Sequence, residues 1–186
     1  MHIFKLLPLL LLAANAFASS PSDGSLPSYA VAVTGVVPYS SAQDIIEIKG
    51  DGTKTLHIKR IALSGIANGT TTVDVFLIKQ SQADKNGTST VRTIVPLDSS
   101  DSASVATVKS YTAAPSGGSV IGYAAARKFT LVTSTTTVGL APLILDFAIQ
   151  GVRPMNLQGN ESLTVNLGGA NITSGAIDAD ILWSEE

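Results

Sequence analysis

The side chains in this chain with the greatest capacity for chemistry are its carboxylates. Asp178 and Asp180 sit two residues apart in the apolar stretch Ile177-Asp178-Ala179-Asp180-Ile181-Leu182-Trp183. On a strand, residues i and i+2 share a face. The pair could therefore bind a hard cation such as calcium, or serve as the acid and base of a glycosidase. The simpler reading is a solvent-facing row paired across strands with Lys59, Lys79 or Arg127. Asp74 and Asp146 also interrupt apolar alternation, where Asp is disfavoured. After Pro96, Asp98-Ser99-Ser100-Asp101 offers two carboxylates and two hydroxyls. It lacks the longer run of acidic ligands around a central glycine and reads most simply as an Asx-turn loop. Asp98, Asp101, Asp178 and Asp180 are thus the calcium candidates.

Nucleophilic chemistry has little to work with. There is no cysteine, which removes thiol nucleophiles, thiolate zinc sites and disulfides together. The two histidines are His2 and His57. His2 belongs to a leading segment expected to be removed, so any Ser-His-Asp arrangement must run through His57. That residue lies between Leu56 and Ile58 and reads as an exposed strand histidine. No Gly-x-Ser-x-Gly elbow or His-Glu-x-x-His helix accompanies it. Charged residues make up only 14%, well under the usual quarter. These features argue against an enzyme, and no cofactor is expected. Four sequons, at Asn68, Asn86, Asn160 and Asn171, would accept glycans in a eukaryotic secretory route. Two of them are Asn-Gly turns, which already account for the Asn.

Residues 1–18 carry a short basic start with His2 and Lys5, a leucine-rich run, and Ala16-Phe17-Ala18 as a small-x-small cleavage site. This is the layout of a secretory signal peptide. The apolar run is shorter than the roughly 20 residues that a spanning helix needs. The expected address is secreted or cell surface, with cleavage after Ala18. The remaining 168 residues are enough for one domain with a substantial core. Their charge of −3, with no basic cluster, suits neither nucleic acid nor an anionic membrane.

The elements that must position these side chains read as strands. Apolar residues alternate with period two between dense Gly and Pro breaks. Expected strands are residues 45–49, 56–63, 73–78, 91–97, 104–111, 120–131, 143–149, 155–158, 163–167 and 177–183. In residues 56–63 the alternation changes phase at Lys59-Arg60, which a β-bulge would absorb. Residues 104–111 also fit one helical face. The 73–78 strand is apolar on both faces, as if between two layers. Asn68-Gly69 and Asn86-Gly87 are hairpin cues. The expected fold class is all-β: an antiparallel two-sheet β-sandwich, jelly-roll-like. Its domain is expected at 38–186, behind a flexible leader and β-prone segment at 19–37. Within that segment Tyr29, Val31, Val33 and Val37 alternate with smaller residues. They read as the first strand of the domain or as an assembly strand that pairs with a neighbouring subunit. Trp183 is expected in the core, with Ser184-Glu185-Glu186 trailing at the surface.

Four stretches resemble small jelly-roll proteins of tailed phages and bacterial genomes. They are Thr71-Thr72-Val73-Asp74-Val75-Phe76-Leu77-Ile78-Lys79, Pro142-Leu143-Ile144-Leu145-Asp146-Phe147, Gly159-Asn160-Glu161-Ser162-Leu163-Thr164-Val165-Asn166-Leu167 and Asp178-Ala179-Asp180-Ile181-Leu182-Trp183. The Gly-x-x-x-Leu-x-Val-x-Leu form is also similar to tumour-necrosis-factor-like jelly rolls, which usually trimerise. The resemblance spans residues 40–186 and implies a structural or surface-exposed role with no catalytic residue. The expected function is a secreted structural subunit of a bacterial or phage-related surface or extracellular assembly. Its expected partner is itself, as a homo-oligomer or filament. The competing class is an adhesin-like module that binds a surface glycan or protein receptor.

Overall fold

The computed structural model describes residues 26–38, 43–133, 141–149, 154–168, 172 and 175–186. The expected signal peptide, the leader up to residue 25 and the sequon at Asn171 lie outside them. Among the described residues every regular element is a β-strand. They are β1 (Ser28–Val36), β2 (Gln43–Lys49), β3 (Leu56–Ala67), β4 (Thr71–Gln80), β5 (Ser89–Val91) and β6 (Val95–Pro96), followed by β7 (Thr107–Tyr111), β8 (Val120–Thr133), β9 (Leu143–Asp146), β10 (Met155–Leu157), β11 (Ser162–Gly168) and β12 (Ala176–Glu185). The all-β expectation holds, and residues 107–111 are strand, not helix.

The strands form one curled, mixed sheet in the order β5-β7-β2-β11-β4-β8-β3-β12-β1-β6. One edge of β3 pairs with β12 along most of its length. The other edge is shared in tandem by β10, β9 and, through Ile66 and Ala67, by β8. The β3–β8 pairing is parallel and the rest are antiparallel. The two ends of the path, β5 and β6, are consecutive in sequence, so residues 92–94 tie the curl shut. The Arg92 amide donates to Val108 O at 2.9 Å on one side of this junction, and the Leu97 amide donates to Ser28 O at 2.8 Å on the other. The expected single strand at 91–97 is therefore two short ones, turned apart so that one segment serves both ends. Pro96, which has no amide hydrogen, falls in the terminal strand of the path, where a missing donor costs least.

The inward faces share one core, in which Tyr29, Ile58, Leu63, Leu77, Val165 and Trp183 are fully buried. Period-two alternation explains this directly. In β12 the residues Ile177, Ala179, Ile181 and Trp183 are buried while Asp178 and Asp180 are exposed. In β4, Val73, Val75 and Leu77 face the core, and Ile78 is buried on the opposite side.

Among the described residues, bulges break this parity in five places: two lie in β8, where Ala124 and Ile121 are the extra residues opposite β4, and the other three in β3, β1 and β2. Opposite Leu182 and Trp183, β3 contributes Arg60 and Ile58, so Lys59 is the extra residue and the expected bulge is present. In β1, Thr34 and Gly35 together oppose Asp178. Gly35 sits at φ +66°, the left-handed region that glycine enters without Cβ strain. This slip turns Val36 inward and leaves Val37 outside the strand at 55% exposure. The expected inward place of Val37 is thus corrected to Val36. In β2, Ile45 is the extra residue between Asp44, opposite Asn166, and Ile46, opposite Val165. Since β1 pairs with β12, the expected domain boundary after residue 37 falls between two strands of one sheet.

Candidate functional site

The Ile45 bulge creates the most unusual chemistry in the molecule. Asp44 and Glu47 are three residues apart, which places side chains on opposite faces of a regular strand. Their partners on β11, Asn166 and Thr164, are two apart and share a face. Asp44 and Glu47 therefore both point to the outer face of the β2–β11–β4 region. Gln80 and Ser162, paired across β4 and β11, stand on the same face. The loops 81–88 and 112–119 fold over it and bring in Asp84 and Gly118.

The result is a roofed cluster of three carboxylates. Asp44 and Asp84 are each 7% exposed and Glu47 is 1% exposed. Glu47 accepts from the Asp84 amide at 2.7 Å and from the Tyr111 hydroxyl at 2.7 Å. Asp44 accepts from the Asn166 side-chain amide at 2.8 Å. The Gly118 amide donates to Gln80 Oε1 at 3.1 Å and to Asp84 Oδ1 at 3.2 Å. Asp84 Oδ2 is buried with no hydrogen-bond partner among the described residues. Each of these donors is neutral. Burial, with the nearby charges of Asp44 and Glu47, pushes the Asp84 carboxyl up to about 7. Burial and the bond to Glu47 likewise push the Tyr111 phenol far above its ordinary range. Gly118 is required by the roof, because a Cβ there would collide with the Gln82 carbonyl and lie 2.6 Å from Gln80 Oε1. Among the described residues no group of three or more metal-ligating side chains converges on a point.

The residues singled out by sequence lie apart from this cluster. Asp98 accepts from the Ser100 amide at 2.8 Å and hydroxyl at 2.7 Å, closing an exposed turn. Those two bonds, the amide's first, hold its carboxyl below the usual range. Asp101 belongs to the same turn, its amide bonded to Asp98 O at 3.0 Å. Asp178 accepts from the Gly35 amide at 2.7 Å and so stabilises the β1 bulge. Asp180 lines a shallow groove with Arg60 and Ala32. Asp74 pairs with Lys128 across β4 and β8. Asp146 accepts from the Ala148 amide at 2.8 Å and ends β9 in a turn.

Two expectations are corrected. His57 is 9% exposed, not a surface residue. Its ring nitrogens lie 2.9 Å from Asn156 Oδ1 and 3.1 Å from Glu186 Oε2. The C-terminus does not trail either, since Ser184 and Glu185 are 0% and 1% exposed. The Glu185 carboxylate accepts from Ser104 Oγ at 2.5 Å, the Val105 amide at 3.1 Å and Trp183 Nε1 at 3.1 Å. Lys54 Nζ lies 3.6 Å away. Backbone bonds of 3.0 and 3.1 Å between Thr55 and Glu186 tie down the last residue.

Tyr29, Val31 and Val33 are at most 2% exposed within the chain's own core. Tyr29 stacks on Trp183 at 5.9 Å and donates to Ser102 O at 3.0 Å. Two strands carry edges that no described residue pairs along most of their length. β8 pairs with β4 from Val120 to Leu131, while among the described residues its other edge meets β3 only at Val132 and Thr133. Val120, Ile121 and Tyr123 on this strand are 54%, 54% and 65% exposed. Tyr123 meets Phe76 edge to face at 5.7 Å. β1 also has a free edge beyond Ala30, where its pairing with β6 stops.

No protein-family model, no curated protein and no solved structure matches the chain. No helix among the described residues is long and apolar enough to cross a membrane.

Proposed function

We propose that the chain is an exported structural subunit of a bacterial or phage-related surface or extracellular assembly, and that it associates with copies of itself by pairing strand edges. The observation that carries this reading is the long edge of β8 that no described residue pairs. Unpaired backbone donors and acceptors beside exposed Val120, Ile121 and Tyr123 form a template for another strand. Few charges guard it, since only Arg127 and Lys128 interrupt the apolar run. The small-x-small site at Ala18 supports export before assembly. Among the described residues, the β5-β7-β2-β11-β4-β8 strands pair with the remaining strands through only two β3–β8 residue pairs. That narrow seam supports reading the curl as a jelly-roll-like sandwich.

Light scattering on the secreted chain tests the reading, with a dimer or larger species expected. Replacing Ile121 and Tyr123 together by Lys is expected to return a monomer of unchanged circular dichroism. A monomeric wild type at 100 μM overturns self-assembly. The Tyr123–Phe76 pair favours a second reading, a glycan- or receptor-binding module, because an exposed aromatic backed by another is a stacking surface. Saccharide binding by a monomeric protein, lost in Tyr123→Ala, would establish that alternative.

A further inference from the structure

The roofed carboxylates do not contribute to strand-edge association, and their arrangement has a use of its own. Loops 81–88 and 112–119 are held to the sheet through a small polar cluster around Asp84 and by the Ser162 hydroxyl, which donates to Gln82 O at 3.2 Å. The Asp84 amide bonds Glu47, and the Asp84 carboxylate meets the Gly118 amide. Lys85 and Ser116 exchange backbone bonds of 2.9 and 2.7 Å, which tie the two loops to each other. A cation is poorly served here. Both Glu47 oxygens and one Asp44 oxygen already accept bonds, whereas calcium wants six to eight oxygen ligands.

We propose that Asp84 is a proton-operated latch: in the protonated form it keeps loops 81–88 and 112–119 fastened over the outer face of the sheet, and loss of the proton releases them. The geometry requires this because an ionised Asp84 would place a charge beside two other carboxylates with one oxygen buried and unpartnered. The groups facing it are Asp44 and Glu47 from β2, Tyr111 from β7, Gln80 from β4, Ser162 and Asn166 from β11, and the Gly118 amide from the second loop. Lys109 is the cross-strand neighbour of Glu47, but Glu47 takes its bonds from the Asp84 amide and the Tyr111 hydroxyl. The direction of the switch follows from linkage. A carboxyl whose folded value is raised from 3.8 to about 7 contributes its full stabilisation below pH 4 and loses it as pH rises through 7. The latch is therefore closed in acid and open in mild alkali.

Hydrogen exchange of segments 81–88 and 112–119, corrected for intrinsic pH dependence, tests this between pH 5.5 and 8.5. Protection is expected to fall at least tenfold in the wild type, with strand β12 unaffected. Asp84→Asn, which is neutral throughout, is expected to hold its protection constant over the same range. Asp44→Asn keeps an acceptor for Asn166 and removes a repelling charge, so the transition should move to lower pH and shrink. Constant protection in the wild type overturns the latch. So does an equal loss in Asp84→Asn, or, should that variant not fold, an unmoved transition in Asp44→Asn.

Discussion

Glu185 shows how one residue can look dispensable in sequence and be central in structure. It is next to last in the chain, yet its carboxylate is buried beneath three donors from two segments. Removing it would strand the Val105 amide, the Ser104 hydroxyl and the Trp183 indole N–H together. A buried donor without a partner costs about 1–3 kcal/mol. Glu185→Ala is therefore expected to destabilise the chain by about 2–4 kcal/mol in urea denaturation. Glu185→Gln retains one acceptor and should lose less. Equal stability of Glu185→Ala and wild type would refute the network. The four strand aspartates tell the opposite story. Sequence marks them as unusual, and the structure gives each a local duty: an ion pair for Asp74, a turn for Asp146, a bulge contact for Asp178 and a groove wall for Asp180.

At the scale of the element, alternation made most of the strands legible, and bulges decided what was not. The Lys59 bulge is visible in sequence because the apolar phase flips where one face is buried and the other is wet. The Ile45 bulge is invisible, because all of Gln43 to Ile48 is buried and offers no phase contrast. This is why the Asp44–Glu47 pair, the foundation of the carboxylate cluster, was missed. Its third member, Asp84, lies in a stretch of Ser, Gln, Lys, Asn and Gly that reads as solvent-exposed loop. Only long-range contacts, with Glu47 on β2 and Gly118 in the second loop, bury it. The β1 bulge permits a clean test of backbone strain. An ideal Cβ at Gly35 meets nothing within 4 Å, so a substitution there is sterically free and only conformationally costly. Gly35→Ala is expected to cost about 1–2 kcal/mol from the positive φ alone. A change below a few tenths of a kcal/mol, measured by thermal unfolding, would mean that the bulge relaxes into another conformation.

On the scale of the whole molecule, one strand carries both the closure of the curl and the question of assembly. β1 lies between β12 and β6, and through β6 it joins the two ends of the sheet path. It buries Tyr29, Val31, Val33 and Val36 to 2% exposure or less. At about 1.5–3 kcal/mol for each large apolar side chain, these four represent roughly 6–12 kcal/mol. That is comparable to the whole stability of an ordinary domain, about 5–15 kcal/mol. Deleting residues 19–37 is therefore expected to unfold the chain. Trp183, the one tryptophan, stacks on Tyr29 and reports the outcome directly, since its emission should shift to the red and its near-ultraviolet dichroism should vanish. A truncated chain that stays folded but no longer assembles would instead make residues 29–37 a connector between subunits. The β8 variants separate the two routes. If Ile121 and Tyr123 replaced by Lys abolish assembly while Trp183 keeps its buried spectrum, association runs through β8, and β1 serves the chain's own core.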